Sequence, residues 1–172
     1  MAEHPWPAAA AATGFVATVI AANWAVATFG DVPVGFGLTA PAGVYAAGVA
    51  FTLRDLLHEW GGRWAVLAAI ATGAAASAVV APPTLVAASA VAFAASELAD
   101  MAVYTPMRRR RWWAAVAASN TVGLAVDSAL FLWIAFGTWA LLPGQVVGKA
   151  WMTLAAVALL AVVRWPRRVT AS

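Results

Sequence analysis

The chain has 172 residues, 64% of them hydrophobic and 10% charged, with a mean hydropathy of +0.84 and a formal net charge of +3. A water-soluble domain of this size carries about 25% charged residues, so the composition excludes an ordinary globular domain and points to an integral membrane protein. The chain has no cysteine and two histidines, His4 and His58; disulfides, thiolate metal sites and thiol catalysis are excluded, and a histidine-based metal site lacks ligands.

Met1 to Pro7 form a short polar lead without the basic region of a secretory signal, so the first apolar run, Ala8 to Phe29, reads as a retained span. Gly30 to Gly37, with Asp31, Pro33 and glycines, reads as a turn. A second span is predicted over Leu38 to Leu57, with Pro41 in its first turn, where proline is tolerated. It ends in Arg54-Asp55-Leu56-Leu57-His58-Glu59-Trp60, and Gly61-Gly62 stops it. The third span is Trp64 to Ala81, closed by Pro82-Pro83, and the fourth is Thr84 to Tyr104, ended by Pro106 and the run Arg108 to Arg111. The fifth is Trp113 to Phe136 and the sixth Leu142 to Val163. Each is about the ~20 residues that a helix needs to cross a bilayer. The expected fold is an all-α integral membrane protein: a single domain over residues 1–172, built as one bundle of six transmembrane helices.

Six spans put both termini on one side. Arg54, Arg63, Arg108 to Arg111, Arg164, Arg167 and Arg168 then face that side, nine of the ten basic residues; the tenth is Lys149. The positive-inside rule places both termini in the cytoplasm. Trp60, Trp64, Trp112, Trp113 and Trp165 fall at the cytoplasmic boundary and Trp139 near the outer one, as an aromatic belt would. The arginines read as topology signals and lipid-headgroup contacts, not as a nucleic-acid surface.

The polar residues inside the apolar spans carry the functional argument, because a charge at bilayer depth is costly unless it has a partner or a task. Counting ~1.5 Å per residue sorts them into two layers. Asn23, Asp127 and Lys149 form an outer one; Glu97 and Asn120, with Asp100 and Asp55, form an inner one. Asp127 and Lys149, on neighbouring antiparallel helices, read as ion partners, either as a permanent structural bridge or as a pair that contacts substrate. Glu97 shows no basic partner at its depth. It is expected to be protonated or to meet a hydrogen-donating ligand. Asp55 and Glu59 share a helix face, as do Glu97 and Asp100. His58 reads as a solvated interfacial residue. Trp24, Trp133 and Phe93 are candidate stacking faces.

These residues resemble a known family. Arg54 to Gly62 resembles the signature that ends the second helix of the queuosine precursor transporter family, also called the VUT or vitamin uptake transporter family. Ser96-Glu97-Leu98-Ala99-Asp100 resembles its fourth-helix motif, and Ser119 to Phe131, containing Asp127-Ser128, its fifth-helix segment. Ala22-Asn23 and Gly148-Lys149 match as well. Two positions depart: Trp112-Trp113 follow the arginines where the family often has an Arg-Asn pair, and Gly123 stands where it often has Gln. The resemblance implies a multi-pass importer of the bacterial cytoplasmic membrane for 7-cyano-7-deazaguanine or a related 7-deazapurine, working without a cofactor or metal. A guanine-like base presents adjacent N–H donors that one carboxylate can accept together, which suits Glu97 or Asp127. Asn23, Asn120 and Lys149 complete the candidate substrate-binding set, and Asp55, Glu59 and Asp100 are candidates for gating or coupling.

An alternative within the same architecture is the substrate-binding S component of an energy-coupling-factor transporter for a vitamin or purine-like compound. The chain has no Walker motif, so an ATPase module would be a partner under that reading. An intramembrane enzyme using Asp55, Glu97 and Asp100 is disfavoured, because no nucleophile or His-rich motif accompanies them. The expected partners are a small purine-like substrate, membrane lipids and a second copy in a homo-oligomer.

Overall fold

The computed structural model describes the backbone of residues 6–107 and 112–169. The arginine run at 108–111 lies outside the described residues, as do the side chains of Trp6, Trp112, Trp113, Val116, Val157 and residues 160–169. The expectations for Arg108 to Arg111, Arg164, Arg167, Arg168, Trp112, Trp113 and Trp165 therefore fall outside them too.

The chain is an all-α membrane protein with one small hairpin. Its elements are α1 (Trp6–Phe29), β1 (Asp31–Gly35), β2 (Leu38–Pro41), α2 (Val44–Ser77), α3 (Pro83–Met107), α4 (Trp112–Phe136) and α5 (Leu142–Val169). Alanine and leucine favour helix, and sequences apolar on every side suit helices that face lipid as well as core. The stretches Pro7–Phe29, Pro83–Met107 and Ala117–Phe136 are long and apolar enough to cross a membrane.

The predicted boundary at Gly61-Gly62 is a break, not a loop. Helix α2 is interrupted at Gly62 alone, where φ is 72° and ψ 177°, a conformation that glycine adopts without a Cβ clash. The chain reverses there. A Cβ at Gly43 would meet Ala22, the Cβ at Gly61 would meet Ala8, and Leu53 packs on Gly14, so the first arm of α2 runs against α1. The second arm runs with α1, since Gly73 lies on Val19 and Ser77 bonds Asn23.

Two further boundaries are corrected. The Gly30 to Gly37 turn and the start of the second span are a β-hairpin. Asp31 pairs with Pro41, Val32 with Ala40 and Pro33 with Thr39, and the helix begins only at Val44. Pro106 lies inside α3, which continues to Met107.

The hairpin lies along α5. A Cβ on Gly144 would run into the Thr39 carbonyl oxygen, and one on Gly148 would sit 2.7 Å from Val44 and 3.1 Å from Val34. The Phe36 ring stacks on Trp151 at 6.3 Å. Val34, Ala40 and Val44 form a small core beneath it. Gly144→Ala should therefore unseat the hairpin, at a cost of about 1–3 kcal/mol for an overpacked contact. A thermal melt of the detergent-purified protein checks this; an unchanged midpoint would mean that the hairpin does not rest on α5.

Helix α1 packs on α2, α3 on α4, and α5 closes the bundle against α2 and α4. One core joins Phe15, Ala50, Leu57, Val66, Ile70 and Phe93. A second joins Val26, Leu85, Ala88, Ala92, Phe131 and Leu132. The polar residues are held between these apolar clusters.

Candidate functional site

The outer polar layer surrounds a cavity enclosing about 360 Å³, counting the space at its open side. Every helix contributes. Ala22, Asn23 and Val26 come from α1; Val44 and Ala47 from α2, with Gly43 just before it; Ser89 and Phe93 from α3; Asp127 and Phe131 from α4; Gln145 and Lys149 from α5. Three of the sequence-predicted residues, Asn23, Asp127 and Lys149, thus meet in one place.

Lys149 and Asp127 form a buried ion pair, and the Lys149 ammonium also donates to Ser128 Oγ at 2.9 Å. This second bond helps to satisfy an ammonium that has left water. Asn23 is fixed in turn. Its Nδ2 donates to the Val19 carbonyl at 3.1 Å and to Ser77 Oγ at 3.2 Å, and its Oδ1 accepts from Ser89 Oγ at 2.9 Å. Gln145 is equally buried, yet its Oε1 has no hydrogen-bond partner among the described residues.

The inner layer is built on Arg54. This side chain was expected at the cytoplasmic boundary as a topology signal; the structure buries it instead. Its Nη2 is 2.7 Å from Asp55 Oδ1, 3.9 Å from Asp100 Oδ1 and 3.5 Å from Asn120 Oδ1, and its Nε is 3.4 Å from Glu97 Oε2. Glu97, fully buried, is therefore not without a basic partner, and His58 Nδ1 lies 2.9 Å from its Oε1. His58, read as a solvated interfacial residue, is a bridge between a half-exposed position and a buried carboxylate. Glu59 is exposed and forms no ion pair with Arg63, which lies over the Trp64 ring instead. Glu59 thus stands apart from both layers.

An aromatic partition separates the layers. The Phe51 ring has Lys149 Nζ 5.8 Å from its centroid and Arg54 Cζ 5.1 Å from it. Phe93 packs on Phe51 at 5.8 Å and on Phe15 at 5.6 Å. Of the candidate stacking residues, Phe93 lines the cavity, whereas Trp24 and Trp133 are about half exposed, Trp24 against Phe29 and Trp133 on Trp139. Among the described residues no group of His, Asp and Glu is placed to hold a metal ion.

Sequence reasoning placed Arg54 at the membrane boundary and passed over Ser89, Phe51 and Gln145 as site residues. Only Gln145 carried a usable signal: it sits four residues before Lys149, on the same helix face.

The cavity lies among apolar helices and is lined by an ion pair, amides and phenyl rings, an arrangement of polar groups within the spans of a membrane protein. The family described as "Putative vitamin uptake transporter" matches residues 81–166, half of the chain, and the chain belongs to that family. The matched region spans α3, α4 and most of α5, and with them Glu97, Asn120, Asp127, Gln145 and Lys149. No curated protein and no solved structure matches the chain. The function class is transport, which is not catalysis.

Proposed function

We propose that the chain imports a queuosine precursor, 7-cyano-7-deazaguanine or a related 7-deazapurine, across the bacterial cytoplasmic membrane. The observation that carries this reading is the cavity at Asn23, Asp127, Gln145 and Lys149, with Phe93 and Phe131 beside them. Phenyl faces suit a flat bicyclic base, and the carboxylate, ammonium and amides match the mixed donors and acceptors of a guanine-type edge.

The path is a single bundle of six spans with both termini in the cytoplasm. The reversal of α2 at Gly62 supports this count, because it makes two antiparallel arms of one helix. Asn23, Asp127 and Lys149 hold the base in the outer layer. Glu97 and Asn120 meet it on the way inward, past Phe51 and Phe93. Asp55 and Asp100 restrain Arg54 and with it the inner gate, and Glu59 acts at the interface. His58, partly exposed on one side and with Nδ1 2.9 Å from Glu97 Oε1 on the other, gives a proton a route to the buried carboxylate.

The test is complementation. The chain is expressed in a bacterium lacking both its own precursor transporter and de novo precursor synthesis, fed 7-cyano-7-deazaguanine, and queuosine in tRNA is measured by mass spectrometry. Queuosine is expected to reappear with no added ATPase module. Its absence, with the protein present in the membrane, would overturn the substrate assignment or require an energising partner.

A further inference from the structure

Helix α2 starts deep in the bundle. Its first residue, Val44, lies against Gly148, two turns into α5, because the β-hairpin occupies the space beside the first turns. A helix that starts there holds the N–H of its first residue, Val44, away from water. Gly43 supplies no side-chain cap. The nearest backbone bonds run from Ala42 N to Gly30 O and from Ala47 N to Gly43 O, and the buried Val44 N–H makes no well-formed hydrogen bond among the described residues. Gly43, Val44 and Ala47 line the cavity.

A second observation points to a ligand there. Gln145 lies one turn before Gly148, on the helix that Val44 touches, and lines the same cavity. It is 2% exposed, and its Oε1 is unpartnered among the described residues. Buried amides left half-satisfied are costly, and so are uncapped N–H groups, which also bear the positive end of the helix dipole. The cavity therefore offers, side by side, a backbone donor at Val44 and one acceptor, Gln145 Oε1, seeking a donor.

We propose that the open N-terminus of α2 and Gln145 form a recognition edge for a lactam, a ring carbonyl next to a ring N–H. The carbonyl oxygen accepts from the Val44 N–H at the start of α2, and the ring N–H donates to Gln145 Oε1. This deepens the reading above and rests on it, since it takes the cavity to be the substrate site. It adds a chemical rule. Heterocycles with a lactam edge bind, and those with an amidine edge, where an amino group replaces the carbonyl, present a donor to a donor and are rejected.

The test uses the purified full-length protein in detergent and ligand-induced shifts of the melting temperature. The probes are 7-cyano-7-deazaguanine, guanine and hypoxanthine as lactams, and adenine and 2,6-diaminopurine as amidines. The lactams should stabilise the wild type at concentrations roughly 10-fold or more below those the amidines need, as expected when a buried hydrogen-bonding group is left unpaired. Gln145→Leu should remove that preference, while Gln145→Glu, which keeps an acceptor, should retain it. The wild-type comparison needs no variant, so it decides the matter even if Gln145→Leu does not fold. Equal binding of both classes, or of neither, overturns the lactam edge. A lactam preference without import of 7-cyano-7-deazaguanine upholds the edge and overturns the substrate reading alone.

Discussion

Asp127→Asn should abolish uptake and lower the melting temperature together, and Lys149→Met should do the same. Each leaves a charge buried without its partner, and breaking such a pair costs about 3–5 kcal/mol. For a chain of this length that corresponds to roughly 6–20 °C in Tm. The informative variant is the double one, Asp127→Asn with Lys149→Met. Removing both charges relieves the uncompensated desolvation, so most of the stability should return, since buried pairs are often replaceable by neutral groups at little cost. Transport should not return, because the carboxylate and ammonium lining the cavity are then gone. A double variant that recovers the melt and also imports the base would reduce the pair to a structural bridge.

The outer layer was legible in the sequence because its members are local anomalies: an Asn, an Asp and a Lys each interrupt an apolar run, and helix depth brings them level. The family resemblance was legible over the same residues. What was missed depends on chain segments far apart. Arg54 stands beside Asp55, His58, Glu59 and Arg63, so by sequence it belongs to a polar helix end. Its burial arises only when α3 brings Glu97 and Asp100, and α4 brings Asn120, around it. The hairpin was hidden for a related reason. Pro33, Gly35 and Gly37 read as a turn, and strands of five and four residues give too little alternation to signal pairing. Gln145 was overlooked because a single neutral amide does not mark a span as a charge does. Its meaning appears only once the hairpin has pushed the start of α2 down beside it.

Arg54 carries the other large effect. Among the described residues it is the one side chain that reaches Asp55, Glu97, Asp100 and Asn120 together, and the Glu97 carboxylate it faces is fully buried. Arg54→Met would leave Glu97 with His58 as its one basic neighbour among the described residues, so the protein should fail to accumulate in the membrane, consistent with about 3–5 kcal/mol lost for an unpaired buried charge. Arg54→Lys keeps the charge but not the planar fork, and a point-like ammonium cannot serve several acceptors in the same geometry. That variant should insert and fold yet melt lower and transport slowly. Adding Glu97→Gln to Arg54→Met removes the most deeply buried carboxylate along with its partner and should restore accumulation in part. If transport passes inward through this layer, the rescued protein should still bind base in the outer cavity while importing none. Binding by thermal shift and uptake in cells, measured on that double variant, separate a gate from a brace: loss of import with binding kept places Arg54 and Glu97 on the path, whereas import at the wild-type rate would leave them only holding α2 to α3.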